Sequence, residues 1–249
     1  MLGGKLMIDK NHMMACVYEQ LAIDYNCEPD DFLNDGLIFT EAKENEGRRP
    51  YPFIAPRLEM VTMGHGTIVN VSREVLPDIR KEFEGKTREE LFNSPLVYGA
   101  NSYFLPDFGK IDLIPKPYGF EFIVLEKEDI KNLYYLYGSQ YGLSYDENSQ
   151  IPEMLIILAK CGDEIAGIAK AKFDSRTMWS IDIDVLPLFR GKGLAAPMVN
   201  MLTFEILNRG YVPYYLTAAS NVLSTHVAVR AGYIPAWVHC YKTRLAGVI

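Results

Sequence analysis

Between Val185 and Ala195 the chain reads Val-Leu-Pro-Leu-Phe-Arg-Gly-Lys-Gly-Leu-Ala, and that string dictates its own backbone path. The residues before it, Met178 to Val185, are β-branched or aromatic at alternate positions, which predicts a strand. Pro187 has no N–H to give to a ladder and turns the chain out of the sheet. Gly191 and Gly193 permit a tight turn and a close approach to the backbone. Apolar residues from Gly193 to Asn208 then predict a helix, closed by Arg209 as a C-terminal cation and Gly210 as a C-cap. A strand that reaches a helix N-terminus through such a turn leaves unpaired N–H groups converging on one point, here with Arg190 and Lys192 beside it. That arrangement suits an anion, a pyrophosphate best of all. A turn that uses glycine for geometry alone fits the same residues equally well. The spacing is neither GxxxxGK[ST] nor GxGxxG.

The surrounding pattern is mixed. In the first half, Met13 to Asn26 has helical spacing, and Asp30-Asp31 after Pro29 reads as a short helix start. Leu58 to Met63 and Thr67 to Val71 are strands across the turn Gly64-His65-Gly66. Ser72 is expected to cap a helix running to about Phe83, and Thr87-Arg88-Glu89-Glu90 is a capping box for a second. Asn45 to Pro50, with Arg48-Arg49, is a breaker-rich loop. Residues 105–118 hold three prolines and a glycine and are the expected linker between two regions, 1–117 and 118–249. In the second region, Phe120 to Leu125 is a strand. Lys127 to Tyr137 is a helix whose Tyr134, Tyr135 and Tyr137 read as packing residues. Met154 to Lys160 and Ile165 to Phe173 form a hairpin over Cys161-Gly162-Asp163-Glu164. Val212 to Ala218 is a strand, Asn221 to Ala231 a helix stopped by Gly232, and Tyr233 to Thr243 a last strand broken by Pro235.

Composition bounds the function. The chain has 249 residues, 49% of them hydrophobic and 23% charged, which is enough to bury a sizeable core. The net charge of −7 argues against non-specific nucleic-acid binding. It is unevenly spread: residues 1–117 carry 13 Lys and Arg against 19 Asp and Glu, whereas residues 176–249 carry 7 against 3. A local positive balance suits a phosphorylated small ligand. The longest apolar run, Met154 to Ala159, is far shorter than a membrane span. Met1 to Gln20, interrupted by Lys5, Asp9, Lys10 and His12, lacks a secretory pattern. A soluble cytoplasmic protein with no membrane partner is expected, so the sequon Asn70-Val71-Ser72 carries no weight. Cys16, Cys27, Cys161 and Cys240 are scattered, as are His12, His65, His226 and His239. Neither set has metal-ligand spacing, so buried free thiols and no metal are expected.

The segment around Arg190 resembles motif A of the GNAT superfamily of acyl-CoA-dependent N-acyltransferases, [Q/R]-x-x-G-x-[G/A], here Arg190-x-x-Gly193-x-Ala195. The strand ending Val185-Leu186-Pro187 before it is similar to the family's, as is the hairpin from Met154 to Phe173. Downstream, a strand, then Asn221, then a helix closing Ala231-Gly232-Tyr233 is similar to the family's asparagine and its helix ending in Gly-Phe. The resemblance covers residues 119–246. It implies an α/β (α+β) fold with a mixed, mostly antiparallel sheet flanked by helices, preceded by an additional N-terminal α+β region. It also implies acetyl-CoA as cosubstrate. The backbone of Ile183, Asp184 and Val185 would pair with the pantetheine arm. The amides of Gly191, Lys192, Gly193, Leu194, Ala195 and Ala196, with Arg190 beside them, would hold the pyrophosphate, and Asn221 would bond the pantetheine. The strands ending at Val185 and Ala218 would splay apart to admit it.

Chemistry follows from that resemblance. An amine attacks the thioester directly, which requires a neutral amine and a stabilised oxyanion but no covalent enzyme intermediate. Trp179, Ile181, Ile183 and Val185 face one side of their strand, and Ser180, Asp182 and Asp184 face the other. Asp182 and Asp184 are the candidate catalytic residues, lining the acceptor cleft to take a proton or bind a cationic amine. A partly solvated sheet face accounts for them equally simply. Many family members place a tyrosine four residues before the glycine of Gly-Phe, as acid for the leaving thiolate. Here that position is Ala228, and Ser224, Tyr233 or a water are the substitutes. His226 reads as a surface or packing residue. The sequence thus predicts an N-acetyltransferase acting on a primary amine of a small molecule or peptide, cationic if the acidic first region bears on it. A non-catalytic acyl-CoA sensor and a scaffold for the first 117 residues are the other readings. That first region would cover the cleft, contact substrate or form a homodimer.

Overall fold

A computed structural model describes residues 7–50, 54–141, 146 and 148–245. Met1 and Lys5, and the bound at 246 used above, lie outside them. The chain forms two units whose segments interleave. One comprises Asn11–Phe104, Thr217–Val222 and Pro235–Ile249, and the other Met1–Lys10, Leu105–Leu216 and Leu223–Ile234. The chain passes between the units at 10/11, 104/105, 216/217, 222/223 and 234/235, and most of the last strand belongs to the first.

The first unit holds α1 (Lys10–Tyr25), a 3-10 turn at Pro29–Phe32, β1 (Leu37–Glu41), β2 (Arg57–Thr62), β3 (Thr67–Val71), α2 (Leu76–Phe83), α3 (Arg88–Phe92) and most of β4 (Asn101–Pro106). β1 pairs parallel with β3, and β2 pairs antiparallel with β3. Every residue of β2 and β3 is buried. Leu58, Met60, Val69 and Val71 meet Ile79 and Phe83 of α2 and Leu91 of α3 in one core. The capping box at Thr87 forms, with Glu90 N–H donating to Thr87 Oγ1 at 3.3 Å and Thr87 N–H to Glu90 Oε2 at 2.8 Å. Ser72 does not cap α2. Its Oγ accepts the Arg57 N–H at 2.9 Å, so the helix starts later, behind Val75 and with Pro77 in its first turn. Two strands were not expected. β1 is a short edge run, and β4 extends into the proline-rich stretch, with Pro106 as its final residue.

The second unit continues with β5 (Glu121–Glu126), α4 (Glu128–Tyr141), β6 (Glu153–Cys161), β7 (Glu164–Phe173), β8 (Met178–Val185), a 3-10 turn at Pro187–Phe189, α5 (Ala195–Asn208), β9 (Val212–Ala218), α6 (Val222–Arg230) and the start of β10 (Tyr233–Thr243). Its strands run in the order β9-β8-β7-β6-β5, antiparallel except that β8 and β9 are parallel. The β6–β7 hairpin turns at Gly162, whose φ of 60° is glycine's territory. Leu155 to Ala159 are buried without a break, so both faces of β6 are covered. On one side Ile156, Leu158 and Ile168 pack with Ile130, Leu133 and Tyr134 of α4, while Tyr135 points outward. α5 packs against β6, β7 and β8. The last strand's other end, from Val238 to Thr243, pairs antiparallel with β2 in the first unit. Among the described residues, ten mostly antiparallel strands and six α-helices make the mixed α/β protein that the sequence predicts.

Candidate functional site

β8 has a partner along its whole length on one side but not on the other. Its ladder with β7 runs from Trp179 opposite Phe173 to Val185 opposite Gly167. Its parallel ladder with β9 runs from Met178 opposite Val212 and stops at Ile181 opposite Tyr215. Beyond Ile181 the two strands part. Leu186 N–H donates to Ala166 O at 3.0 Å, which sets the phase of the β7 ladder. The backbone groups of Asp182 and Asp184 therefore face β7, and those of Ile183 and Val185 face the opened side. Of the three residues expected to pair with a pantetheine arm, Ile183 and Val185 present their backbone there, and Asp184 presents its side chain to the cleft.

The chain then turns as its glycines require. Gly191 has φ 75° and Gly193 φ 77°, a conformation that costs any L side chain energy. A Cβ on either would meet nothing within 4 Å, so neither glycine is there for packing; the loop lies open. Leu194 is the N-cap of α5, and the first N–H bonded back into the helix is that of Met198, to Leu194 O at 3.1 Å. The N–H groups of Leu194, Ala195 and Ala196 precede that bond, and Pro197 has none. Arg190 Nε donates to Val185 O at 2.8 Å, and its Nη2 lies 3.7 Å from Asp184 Oδ1. The Lys192 ammonium sits 4.9 Å from the centroid of the Phe189 ring. Arg190 to Ala196 are thus gathered as one loop at the end of β8. Asn221 belongs to the first unit, where its N–H donates to Ala218 O at 2.9 Å.

A cleft of about 330 Å³ opens where β8 and β9 part, lined by Ile168 and Lys170 of β7, Ile181 to Asp184 of β8, Tyr215 and Leu216 of β9, and Ser224 of α6. Asp182 and Asp184 both line it, and both are exposed. Each has a cation beside it: Lys172 pairs with Asp182, and Arg190 lies by Asp184. Lys170, also in the lining, is 3.0 Å from Glu153, whose other oxygen accepts from Tyr134. Two aspartates on one face of this sheet are accommodated because that face opens into the cleft, with Lys172 of β7 beside Asp182 and Arg190 of the loop beside Asp184.

The hydroxyls are sorted just as clearly. Tyr215 Oη lies 2.7 Å from Ser224 Oγ, at the last rung of the β8–β9 ladder. Burial pushes the Tyr215 hydroxyl's pKa up, the Ser224 hydrogen bond pulls it down, and the Asp182 charge adds to the rise. Tyr233 is sealed off, 2.6 Å from Thr203 Oγ1 and raised by burial. Ala228 is fully buried and His226 is exposed. Tyr215 was not singled out by the sequence, because its place opposite Ile181 depends on strand register and no local motif marks it. Among the described residues, no group of three or more His, Cys, Asp or Glu is gathered as metal ligands. No helix among them is long and apolar enough to cross a membrane. Cys16 and Cys240 are buried, Cys27 and Cys161 half-buried, and none is in a disulfide.

Residues 124–233 match the Acetyltransferase (GNAT) family. That stretch contains the parted strands and the glycine loop. No curated protein matches the chain. Three solved structures are similar to it. A GCN5-related N-acetyltransferase-like protein from Streptococcus suis is 17% identical over 95% of this chain and 100% of that one, with a TM-score of 0.48. An acetyltransferase of the GNAT family from Colwellia psychrerythraea is 12% identical over 62% and 59%, with a TM-score of 0.44. A GCN5-related N-acetyltransferase from Kribbella flavida is 13% identical over 58% and 58%, with a TM-score of 0.41. The chain spans less than two thirds of the last two proteins.

Proposed function

We propose that this protein is an N-acetyltransferase that moves an acetyl group from acetyl-CoA to a primary amine by direct attack. One observation carries the reading: β8 leaves its parallel neighbour at Ile181 and then feeds the open glycine loop at the start of α5. A parted edge of backbone donors and acceptors suits an amide-bearing arm, and the loop beyond it suits a pyrophosphate. Ile183 and Val185 pair with the arm, and Asn221 is assigned to bond it. The amides from Gly191 to Ala196 hold the pyrophosphate, with Arg190 and Lys192 supplying charge. A Cβ at Gly191 or Gly193 would stand in open space, so the loop accommodates the group.

In this reading Asp182 and Asp184 take up the proton that the attacking amine must lose. The acceptor is a small molecule or a peptide, and the acidic balance of residues 1–117 favours a cationic one. The protein is assigned to the cytoplasm, without metal, nucleic acid or membrane as partner; homodimer formation through residues 1–117 belongs to the same proposal. A second reading, a non-catalytic acyl-CoA sensor, is favoured by one feature, the buried Ala228 where a tyrosine is usual in the family. Calorimetric titration with acetyl-CoA and with free CoA tests the cosubstrate, and thiol release across a panel of amines then separates enzyme from sensor. No binding at millimolar acetyl-CoA would sink both.

A further inference from the structure

We infer that Tyr215, paired with Ser224, donates the proton to the thiolate that leaves in the proposed acyl transfer; the inference rests on that reading of the cleft. Three observations support it. Tyr215 stands opposite Ile181, the last residue of β8 that still has a partner in β9, so it sits at the vertex from which the cleft opens. Its hydroxyl is held 2.7 Å from Ser224 on α6, and Ser224 is only half-buried, so the pair connects the vertex with the open cleft. The neighbouring hydroxyl, Tyr233, is occupied by Thr203 away from the lining.

The electrostatics agree with a donor rather than a base. Burial and the nearby Asp182 both keep the Tyr215 hydroxyl protonated. The bonds balance. The amine nitrogen attacks the thioester carbonyl carbon, whose π pair moves to oxygen, and the ammonium proton passes to Asp182 or Asp184 and then to solvent. As the carbonyl reforms, the C–S bond breaks and its pair stays on sulfur. Tyr215 Oη gives its proton to that sulfur and recovers one from solvent through Ser224. Amide and free thiol leave.

Full-length Tyr215→Phe and Ser224→Ala test this, with acetyl-CoA as donor and n-butylamine as acceptor probe. Tyr215→Phe is expected to lower kcat for thiol release by about 100-fold. Its KM and calorimetric Kd for acetyl-CoA stay within about twofold of wild type, because the substitution removes one hydroxyl and alters neither the pyrophosphate loop nor the β8 backbone at Ile183 and Val185. Ser224→Ala gives a smaller fall. With the acetyl thioester of 4-nitrothiophenol, whose thiol leaves unaided, Tyr215→Phe and wild type turn over alike. An unchanged kcat in Tyr215→Phe overturns the inference. So does a wild type that binds acetyl-CoA yet releases no thiol above the buffer rate. If Tyr215→Phe does not fold, an unchanged kcat in Ser224→Ala overturns it instead. Failure of wild type to bind acetyl-CoA is a different result and removes the acyltransferase reading itself.

Discussion

Asn200 Nδ2 donates to the carbonyl of Ala231 at 3.0 Å, joining the middle of α5 to the end of α6. The same side chain accepts the Ile114 N–H at 3.0 Å and donates to Asp112 O at 3.0 Å. It is 1% exposed. These bonds tie Asp112 and Ile114, in the proline-rich stretch after Pro106, to α5.

Asn200→Leu removes all of those partners at once and leaves buried backbone groups without them. A loss of about 2–4 kcal/mol of stability is expected, and Asn200→Asp, which cannot donate, is expected to lose a similar amount. Urea unfolding checks this: the midpoint falls while the slope stays constant. A midpoint within error of wild type would show that water replaces the side chain.

Gly66 illustrates a different constraint. A Cβ there would stand 2.5 Å from Asp31 O and 2.6 Å from Asn34 O, both backbone atoms. Gly66→Ala must displace the main chain after the 3-10 turn at Pro29–Phe32, and a destabilisation of about 2–3 kcal/mol is expected. Gly64→Ala meets nothing within 4 Å and carries only the strain of its φ of 110°. It is expected to cost about 1 kcal/mol. Thermal unfolding of the two variants side by side gives the ranking, and the reverse order would refute the steric account.

Those glycines mark the limit of what the sequence discloses. It announces Gly64-His65-Gly66 as a turn but not that only Gly66 is hemmed in, because the neighbours come from residues 31 and 34. It gives Met178–Val185 and Val212–Ala218 their observed bounds, since alternation and breakers are local. Arg190 to Ala196 are legible for the same reason. The Tyr215–Ser224 pair is not, because it depends on the register of parallel strands far apart in the chain. Ser72 misleads because its hydroxyl had two candidate partners, a helix start and the Arg57 N–H of a neighbouring strand, and the strand has it. The short strands β1 and β4 lack enough alternation to stand out from their polar and proline-rich flanks.

Glu59 predicts an acid-sensitive first unit. It is buried at 7% exposure against Arg57, with Arg48 Nη2 and His239 Nε2 each 3.6 Å away. Burial alone would raise its carboxyl pKa, but His239 and then Arg57 outweigh that and hold it at about 2, below the ordinary 4.5. The folded protein therefore gains from this carboxylate fully above pH 4.5 and loses the gain as pH falls toward 2. The amount is about 3 kcal/mol, more than half of it gone by pH 3. Glu59→Gln is expected to be less stable at pH 7 by about 3–5 kcal/mol, because it strands the buried arginine charge. The gap between the two proteins should narrow as pH falls from about 4.5 toward 2 in urea titrations. A gap that stays constant with pH would place the effect in packing.

The glycine loop gives the most direct check of the pyrophosphate assignment. Gly193 is held at φ 77° with open space around it, and Arg190 is 64% exposed at its side chain. Neither supports the core, so Arg190→Glu combined with Gly193→Asp should leave the protein folded at a cost of about 1–2 kcal/mol, mainly backbone strain. The two acidic groups would face any phosphate held by the amides of Leu194 to Ala196. Affinity for acetyl-CoA is expected to fall more than about 100-fold, since several charge-assisted hydrogen bonds are lost and like charges meet. Free CoA should lose affinity in proportion, because it carries the same pyrophosphate. Calorimetry on both ligands, with far-UV circular dichroism to confirm folding, reads the result. A folded variant that still binds acetyl-CoA as wild type does would mean that the loop's amides serve the turn alone.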